Sequence, residues 1–518
     1  MAPASLATSK SPLALILLRR LLRGNAPLVA ALALLAHLFR KWRRRPCCPA
    51  VPGNWLLGNL PEVLQRATAN THLEMFAHYH ALLGWRSRTI KFHLPGKNWI
   101  IDTTCPRNIE HVLKGHFENF EKGSWFREPL NELLGEGIFN VDGALWHSQR
   151  KTASRMFTAQ LFKDHIWHVV RKNSGTLCRI LEGVADSGET VDVFRLMNRF
   201  TLDTIGEIGF GTDIGSLDDP SSPFLASFDH AQKASYYRFF FPNLVWRFMR
   251  FFGIGTERGS SEHFKLLDDY SRQVARELSA KADGSDAGPS FVGLFLQDAI
   301  SKGQQPTEKF LRDLVLNFLI AGRDTTAQAL SWTVFLLAGN RRVEKWLMEE
   351  LDTELGSSSD GSVADGPSYE QMTQLPYLQA VVNEALRLYP SVPIDSKAAI
   401  NDDTLPDGTF VAAGTVVQFN PYGMARDVGL WGSDAEEFRP ERWLEMKEPP
   451  SSYLYAVFNA GPRECLGKRL AYMEMKACLA TILQKISFSV AVPREQIRPS
   501  ASLTIGMSNG LPCTVKHR

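Results

Sequence analysis

Apolar residues recur at three- and four-residue intervals along most of the chain, the period of helices that bury one face or all of it. Two stretches depart from that period. RTIKFHLPGKNWIIDTT (88–104) predicts a β-hairpin turning at Pro95 and Gly96, and GTFVAAGTVVQF (408–419) predicts a second hairpin. Polar, Gly/Ser/Pro-containing breaks at LDDPSSP (217–223), ADGSDAGPS (282–290) and GSSSDGSVADGP (356–367) read as surface loops within one folded unit, and no internal repeat is present. The pattern predicts a mainly α fold with a minor β-sheet region.

The longest helical pattern, KFLRDLVLNFLIAGRDTTAQALSWTVFLLA (309–338), is apolar at both ends and carries the polar island AGRDTT at its middle. That island must lie deep in the protein, where each unpaired polar group costs about 1–3 kcal/mol. Thr325 and Thr326 can bond back to carbonyls one turn earlier and bend the helix. An acid, Asp324, beside an alcohol on a bent buried helix suits proton delivery, and a carboxylate satisfied by a neighbouring helix suits it equally. LPYLQAVVNEALRLYPSVP places Glu384 and Arg387 three apart on one helix face before Pro390 ends the helix. On spacing alone an exposed pair accounts for them; if buried, Glu384 needs further donors, and FRPERW (438–443) offers Arg442.

Charge changes the reading of the N-terminus. Residues 1–61 carry nine Lys or Arg and no acid, so the net charge of +3 leaves the rest at 49 basic against 55 acidic, or −6. The basic balance therefore marks the terminus and not a nucleic-acid surface. LALILLRRLLRG and APLVAALALLAHLF precede RKWRRRP, and residues 13–39 together reach spanning length with arginines snorkelling. Residues 1–45 are expected to be a membrane anchor whose basic flank stays cytosolic, placing the body on the cytosolic face of the endoplasmic reticulum; an Arg-containing transit peptide for a plastid or mitochondrion is the alternative. Residues 46–54 (PCCPAVPGN) read as a stiff hinge, and 55–518 as the catalytic body.

Seven scattered cysteines offer neither a disulfide framework nor a paired zinc motif, which indicates a reducing compartment. One of them stands apart. In FNAGPRECLGKRLAYMEMK (458–476), Gly461 and Gly467 allow the backbone to curl around Cys465 with amide N–H groups facing it, and helix propensity resumes at Lys468. A cysteine just before a helix N-terminus is favoured as thiolate. With no second cysteine or histidine beside it, it suits a single metal bond, and Arg463 can meet an anionic group on whatever carries the metal.

Phe458-x-x-Gly461-x-Arg463-x-Cys465-x-Gly467, with AGRDTT, Glu384-x-x-Arg387, PERW and Trp146-x-x-x-Arg150 in that family's order and spacing, resembles the cytochrome P450 haem-thiolate monooxygenases over roughly residues 50–515. The resemblance implies haem b ligated by Cys465, with Phe458 packed on the thiolate side and Trp146, Arg150 and Arg463 holding the propionates. It implies that Ala321 and Gly322 line the oxygen side, that Asp324 and Thr325 relay protons, and that Glu384, Arg387 and Arg442 form a structural triad. It further implies O2 and an NADPH-dependent flavoprotein reductase as partners. Ala321 stands where some animal members carry a glutamate bonded to haem, so the haem is expected to be non-covalent.

FENFEKG (117–123), LLGEGIFNVDGALWHSQRKTAS (133–154), FLIAGRDTTAQALSW (318–332) and EALRLYPSVPIDSK (384–397) look like the plant-type fatty-acid ω-hydroxylase branch. The implied substrate is a long-chain fatty acid or related lipid, oxidised at or near its terminal carbon. The alternatives are a terpenoid or sterol hydroxylase and a non-catalytic haem-thiolate sensor. YYRFFFPNLVWRFMRFF (236–252) is a candidate to line an acyl channel or dip into a bilayer, with ordinary core packing as its other explanation. Lys151, Arg155, Lys468, Arg469 and Lys476 are candidates for docking an acidic reductase.

Overall fold

The computed structural model describes residues 48–83, 88–157, 165–219, 223–283, 290–303, 305–356 and 367–518. The 1–45 segment expected as an anchor lies outside the described residues, and among those described no helix is long and apolar enough to cross a membrane.

The chain is predominantly helical. Helices α1 (Gly123–Leu134) and α2 (Gly143–Ser154) precede α3 (Trp167–Ser187) and α4 (Val193–Phe210). Then come α5 (Pro223–Arg238), α6 (Asn243–Phe252) and α7 (Ser260–Asp283). The 309–338 pattern appears as α8 (Glu308–Leu319) and α9 (Thr325–Ala338), followed by α10 (Pro376–Leu388) and α11 (Lys468–Leu483). Local chemistry sets several ends. Thr307 accepts from the Phe310 N–H to start α8, and the left-handed Gly211 (φ 62°) closes α4. α9 packs against α4 and α10, α11 lies along α3, and α7 joins α5 to α8. One large core, with Phe200, Leu314, Trp332, Val382 and Leu479 all buried, runs through these helices.

Between α8 and α9 the ladder opens into a π-turn, Ile320–Asp324, so the expected bend falls on AGRDTT. Hydroxyls meet the carbonyls around it. Thr325 Oγ1 donates to Ala321 O at 2.6 Å, Thr201 of α4 to Arg323 O at 2.8 Å, and Ser391 to Thr325 O at 2.6 Å.

The strands are short. β1 (Thr89–His93) and β2 (Trp99–Thr103) form the hairpin predicted around Pro95 and Gly96. Together with β3 (Phe120–Glu121), β5 (Asp395–Ala399) and β8 (Val416–Phe419) they make a five-stranded sheet in the order β1-β2-β8-β5-β3. β4 (Thr190–Asp192), β10 (Pro512–His517) and β9 (Ile486–Val490) make a second sheet in that order. The hairpin predicted within 408–419 does not form. Its first half, β7 (Phe410–Val411), pairs with β6 (Asp403–Thr404), while β8 pairs in parallel with β2 and antiparallel with β5. Alternation identified strands but could not choose partners about 315 residues away.

The 46–54 segment is tied to the body in its described part. Lys91 of β1 donates to Pro49 O and accepts from the Val51 N–H, and Asn59 Nδ2 donates to Pro52 O at 2.7 Å.

Candidate active site

Cys465 sits in a loop whose shape depends on Gly461. That residue takes φ 65°, and a Cβ there would lie 2.2 Å from Leu113 O, so only glycine fits. Asn459 also adopts positive φ (61°), and the Cys465 N–H closes the loop by donating to Phe458 O at 2.9 Å. Gly467 differs from expectation. Its φ is −82°, which any residue adopts, and an added Cβ would make only ordinary contact with the Cys465 sulfur at 3.8 Å. α11 then begins at Lys468 as expected. Surrounding protein pushes the Cys465 thiol pKa up, against the pull of the Gly467 N–H and the Arg150 charge. Cys478 lies buried in α11.

Around this loop the fold gathers Trp146, Arg150 and Arg463. Arg463 stacks over the buried Trp146 ring at 4.4 Å and donates to Asp142 at 2.7 Å and Val141 O at 2.9 Å. Arg150, one turn beyond Trp146 on α2, donates to Glu464 O at 2.8 Å. Sequence reasoning missed the neighbours of this group. Lys122 reaches Asp395 at 2.7 Å, Lys397 reaches its other oxygen at 3.2 Å, and Asn459 donates there at 3.0 Å. Burial opposes the Asp395 charge, but the two lysines outweigh it and hold the carboxyl well below its usual range. Burial also lowers the fully buried Lys397 ammonium well below its ordinary pKa. Both lysines stand in phrases quoted above, FENFEKG and PSVPIDSK, and a lysine flanked by strand residues was the available signal.

The electrostatics of this cluster test the expected cofactor. Lys122 pairs with Asp395 and Arg463 with Asp142, whereas Arg150 spends its donor on the Glu464 backbone carbonyl. Two arginines side by side near the cysteine suit an anionic group such as a haem propionate. Cys465 adds one sulfur donor beside these arginines. The residues fit haem.

On the bent helix, Phe318, Ala321, Gly322 and Thr325 are partly accessible, whereas all other residues from 311 to 337 are buried. Spacings of three, four and seven put them on one face. Gly322 also serves the packing, because a Cβ there would lie 2.5 Å from Ile205 and its absence lets α4 approach the π-turn. Asp324 is buried and turns away from Thr325. It accepts from Arg323 at 2.8 Å, and the same Arg323 nitrogen donates at 2.7 Å to Asp229, which is 59% exposed. Burial raises the Asp324 pKa to about 6, partly offset by Arg323.

Glu384 and Arg387 are buried at 0% and 1% exposure, so the exposed-pair reading is overturned. Arg387 grips Glu384 with two bonds of 2.8 and 2.9 Å, Arg442 adds one of 2.9 Å, and Trp443 Nε1 and the Arg439 N–H supply 2.9 and 3.1 Å contacts. Trp443 was a ligand of Glu384 that PERW held in view without a role. Arg387 also stacks on Trp431 and donates to Ala435 O at 2.7 Å. Beside this network a recess of about 270 Å³, lined by Phe458, Tyr472, Asn383 and Lys468 among others, opens on the outer side of the cysteine loop.

Two further expectations change. Lys476 is 7% exposed, so it cannot dock a partner, while Lys151, Arg155 and Arg469 are exposed, Arg155 pairing with Asp298 at 3.0 Å, and Lys468 is partly exposed. The Phe-rich run divides: Tyr237 and Phe240 pack into the core under β1, but Leu244, Phe248, Phe251 and Phe252 of α6 face outward at 56–84% exposure and line no channel.

A family model described as Cytochrome P450 matches residues 49–511. The chain is 41% identical over 439 residues to Cytochrome P450 86B1 of Arabidopsis thaliana, covering 80% of this chain and 77% of that protein. It is 35% identical to Cytochrome P450 704C1 of Pinus taeda, covering 95% and 97%, and 36% identical to Cytochrome P450 94A1 of Vicia sativa, covering 82% of each.

Proposed function

This chain belongs to the cytochrome P450 family of haem-thiolate monooxygenases, and from that premise we propose that it hydroxylates a long-chain fatty acid at or near its terminal carbon. As in the family, O2, an apolar substrate and an electron-donating reductase take part. The observation that carries the site is the convergence of Trp146, Arg150 and Arg463 on the loop that presents Cys465.

Bound haem supplies O2 activation and insertion of one oxygen atom into a C–H bond. Cys465 gives the thiolate, and Phe458 packs beside it. Trp146, Arg150, Arg463, Lys122 and Lys397 hold the propionates. Arg323, which keeps its own proton, ties Asp324 to the exposed Asp229; Asp324 Oδ is the proton-holding group on the buried side of the helix, and Thr325 Oγ1, on the accessible face with Ala321, is the donor on the oxygen side. Electrons come from an NADPH-dependent flavoprotein reductase docked over Lys151, Lys468 and Arg469.

The acyl substrate rests on the branch resemblance of the quoted phrases. Terminal C–H bonds are stronger than internal ones, so terminal attack requires positioning that presents the methyl end alone. Contact with a membrane is supported by the outward apolar face of α6, and the cytosolic side of the endoplasmic reticulum is proposed from the basic flank of the N-terminus. Beside α6 stand the exposed Trp55, Leu56 and Leu57, because Lys97 of the β1–β2 turn contacts Asn243 and Asn59 is bound to His93.

The test is turnover of lauric, palmitic and oleic acids by the enzyme reconstituted with reductase, read by mass spectrometry. Terminal alcohols formed with NADPH consumption support the reading. Mid-chain alcohols overturn the terminal position, and turnover of a terpenoid with none of any acyl chain overturns the substrate class.

A further inference from the structure

Against the cysteine loop, three ligating side chains converge. His111 opens a five-residue π-turn, His111–Gly115, and His116 follows it. Asp403 starts β6, nearly three hundred residues on. His116 Nδ1 lies 2.8 Å from Asp403 Oδ2, and His111 Nε2 lies 3.3 Å from both carboxylate oxygens. One ligand atom from each residue falls within 4.8 Å of the other two, and the imidazole centroids are 4.0 Å apart.

The Asp403 carboxylate also accepts from the Thr404 N–H at 2.7 Å and from Asn119 Nδ2 at 3.1 Å, so four donor groups fill its roughly four lone-pair positions and fix its orientation. With a divalent ion among the three, each imidazole would offer a lone pair in place of an N–H. Ligands about 2.0–2.2 Å from a tetrahedral ion stand roughly 3.3–3.6 Å apart, which the 3.3 Å His111–Asp403 separation matches and the 2.8 Å His116–Asp403 contact would reach by opening about half an ångström. Asn119 and the Thr404 N–H remain as the outer bonds that orient the carboxylate. His116 is 51% exposed, so an ion has a path in, and two neutral imidazoles with one carboxylate suit zinc or a neighbouring borderline metal.

We infer that His111, His116 and Asp403 form a divalent-metal site, zinc being the natural ion, which ties β6 to the π-turn that backs the cysteine loop. The tie reaches the loop through Leu113 of the same turn, whose carbonyl occupies the space a Gly461 Cβ would need.

The test uses haem-loaded, untagged full-length enzyme freed of adventitious metal by chelation. Zinc titrated by calorimetry should bind at one saturable site and raise the melting temperature. Copper at the same site should give an electron paramagnetic spectrum with two-nitrogen splitting. His116→Ala, a change at an exposed side chain, and Asp403→Asn should each weaken zinc at least tenfold and abolish the melting shift, while the thiolate spectrum stays intact. Absence of saturable zinc binding in the wild type, or equal affinity in wild type and His116→Ala, overturns the inference.

Discussion

Asp324 and Thr325 are neighbours in the chain but serve different sides of one helix: Asp324 bonds Arg323 in the buried interior at 2.8 Å, while Thr325 stays partly accessible and returns its hydroxyl to Ala321 O at 2.6 Å. Thr325→Ala should therefore keep haem and substrate binding but divert electrons to hydrogen peroxide, with uncoupling measured as peroxide per NADPH. Asp324→Asn should instead slow oxygen consumption about 10²-fold, the usual worth of a positioned acid. Unchanged coupling and rate in both variants would reduce the π-turn to a packing feature.

Asp324 also carries a pH signature. With the pKa raised to about 6 in the folded state, the native protein binds the extra proton between roughly pH 4 and 6, so this group's contribution to stability is present at low pH and lost as pH rises through 6. Asp324→Asn should remove on the order of 3 kcal/mol of that pH-dependent change. Thermal melts of both proteins across this range check it.

Cys465→Ala should abolish the thiolate-type spectrum of the reduced carbon monoxide complex. Cys478 cannot replace it from inside α11, where burial pushes its thiol well up. Retention of the spectrum would displace Cys465 as the ligand.

The loop glycines should separate cleanly. Gly461→Ala meets Leu113 O and adds about 1–2 kcal/mol of left-handed strain, so haem retention should fall sharply; Gly467→Ala, at ordinary φ, should cost under about 1 kcal/mol. Haem content after purification and urea midpoints report both.

Glu384→Ala takes the carboxylate from the buried Arg387 guanidinium, while Arg442 keeps Asp434 at 3.3 Å, and should cost about 3–5 kcal/mol, enough to lose haem-loaded protein. Trp443→Phe removes a single bond to Glu384 and should cost about 1–2 kcal/mol with activity preserved. Chemical denaturation distinguishes the two.

Deleting residues 1–45 should release much of the protein from membranes with haem intact, and Phe248→Asp with Phe251→Asp should remove most of the remaining vesicle binding, measured by sedimentation. Loss of haem on truncation would argue against a separable anchor.

Several features were legible in the chain alone because their causes are local. The helix over 309–338 and its bend follow from apolar period and neighbouring hydroxyls, the end of α10 follows from Pro390, and the 88–104 hairpin follows from alternation around Pro95 and Gly96. Each depends on residues within one or two turns. The tertiary structure decided what local pattern leaves open. β8 took β2 and β5 as partners, Glu384 and Arg387 went inside because Arg442 and Trp443 arrive from 58 and 59 residues away, and Lys476 was buried while α6 turned its phenylalanines outward. Lys122 met Asp395 across 273 residues. Propensity and period act through neighbours in sequence, whereas burial and charge pairing are set by neighbours in space, which the fold alone supplies.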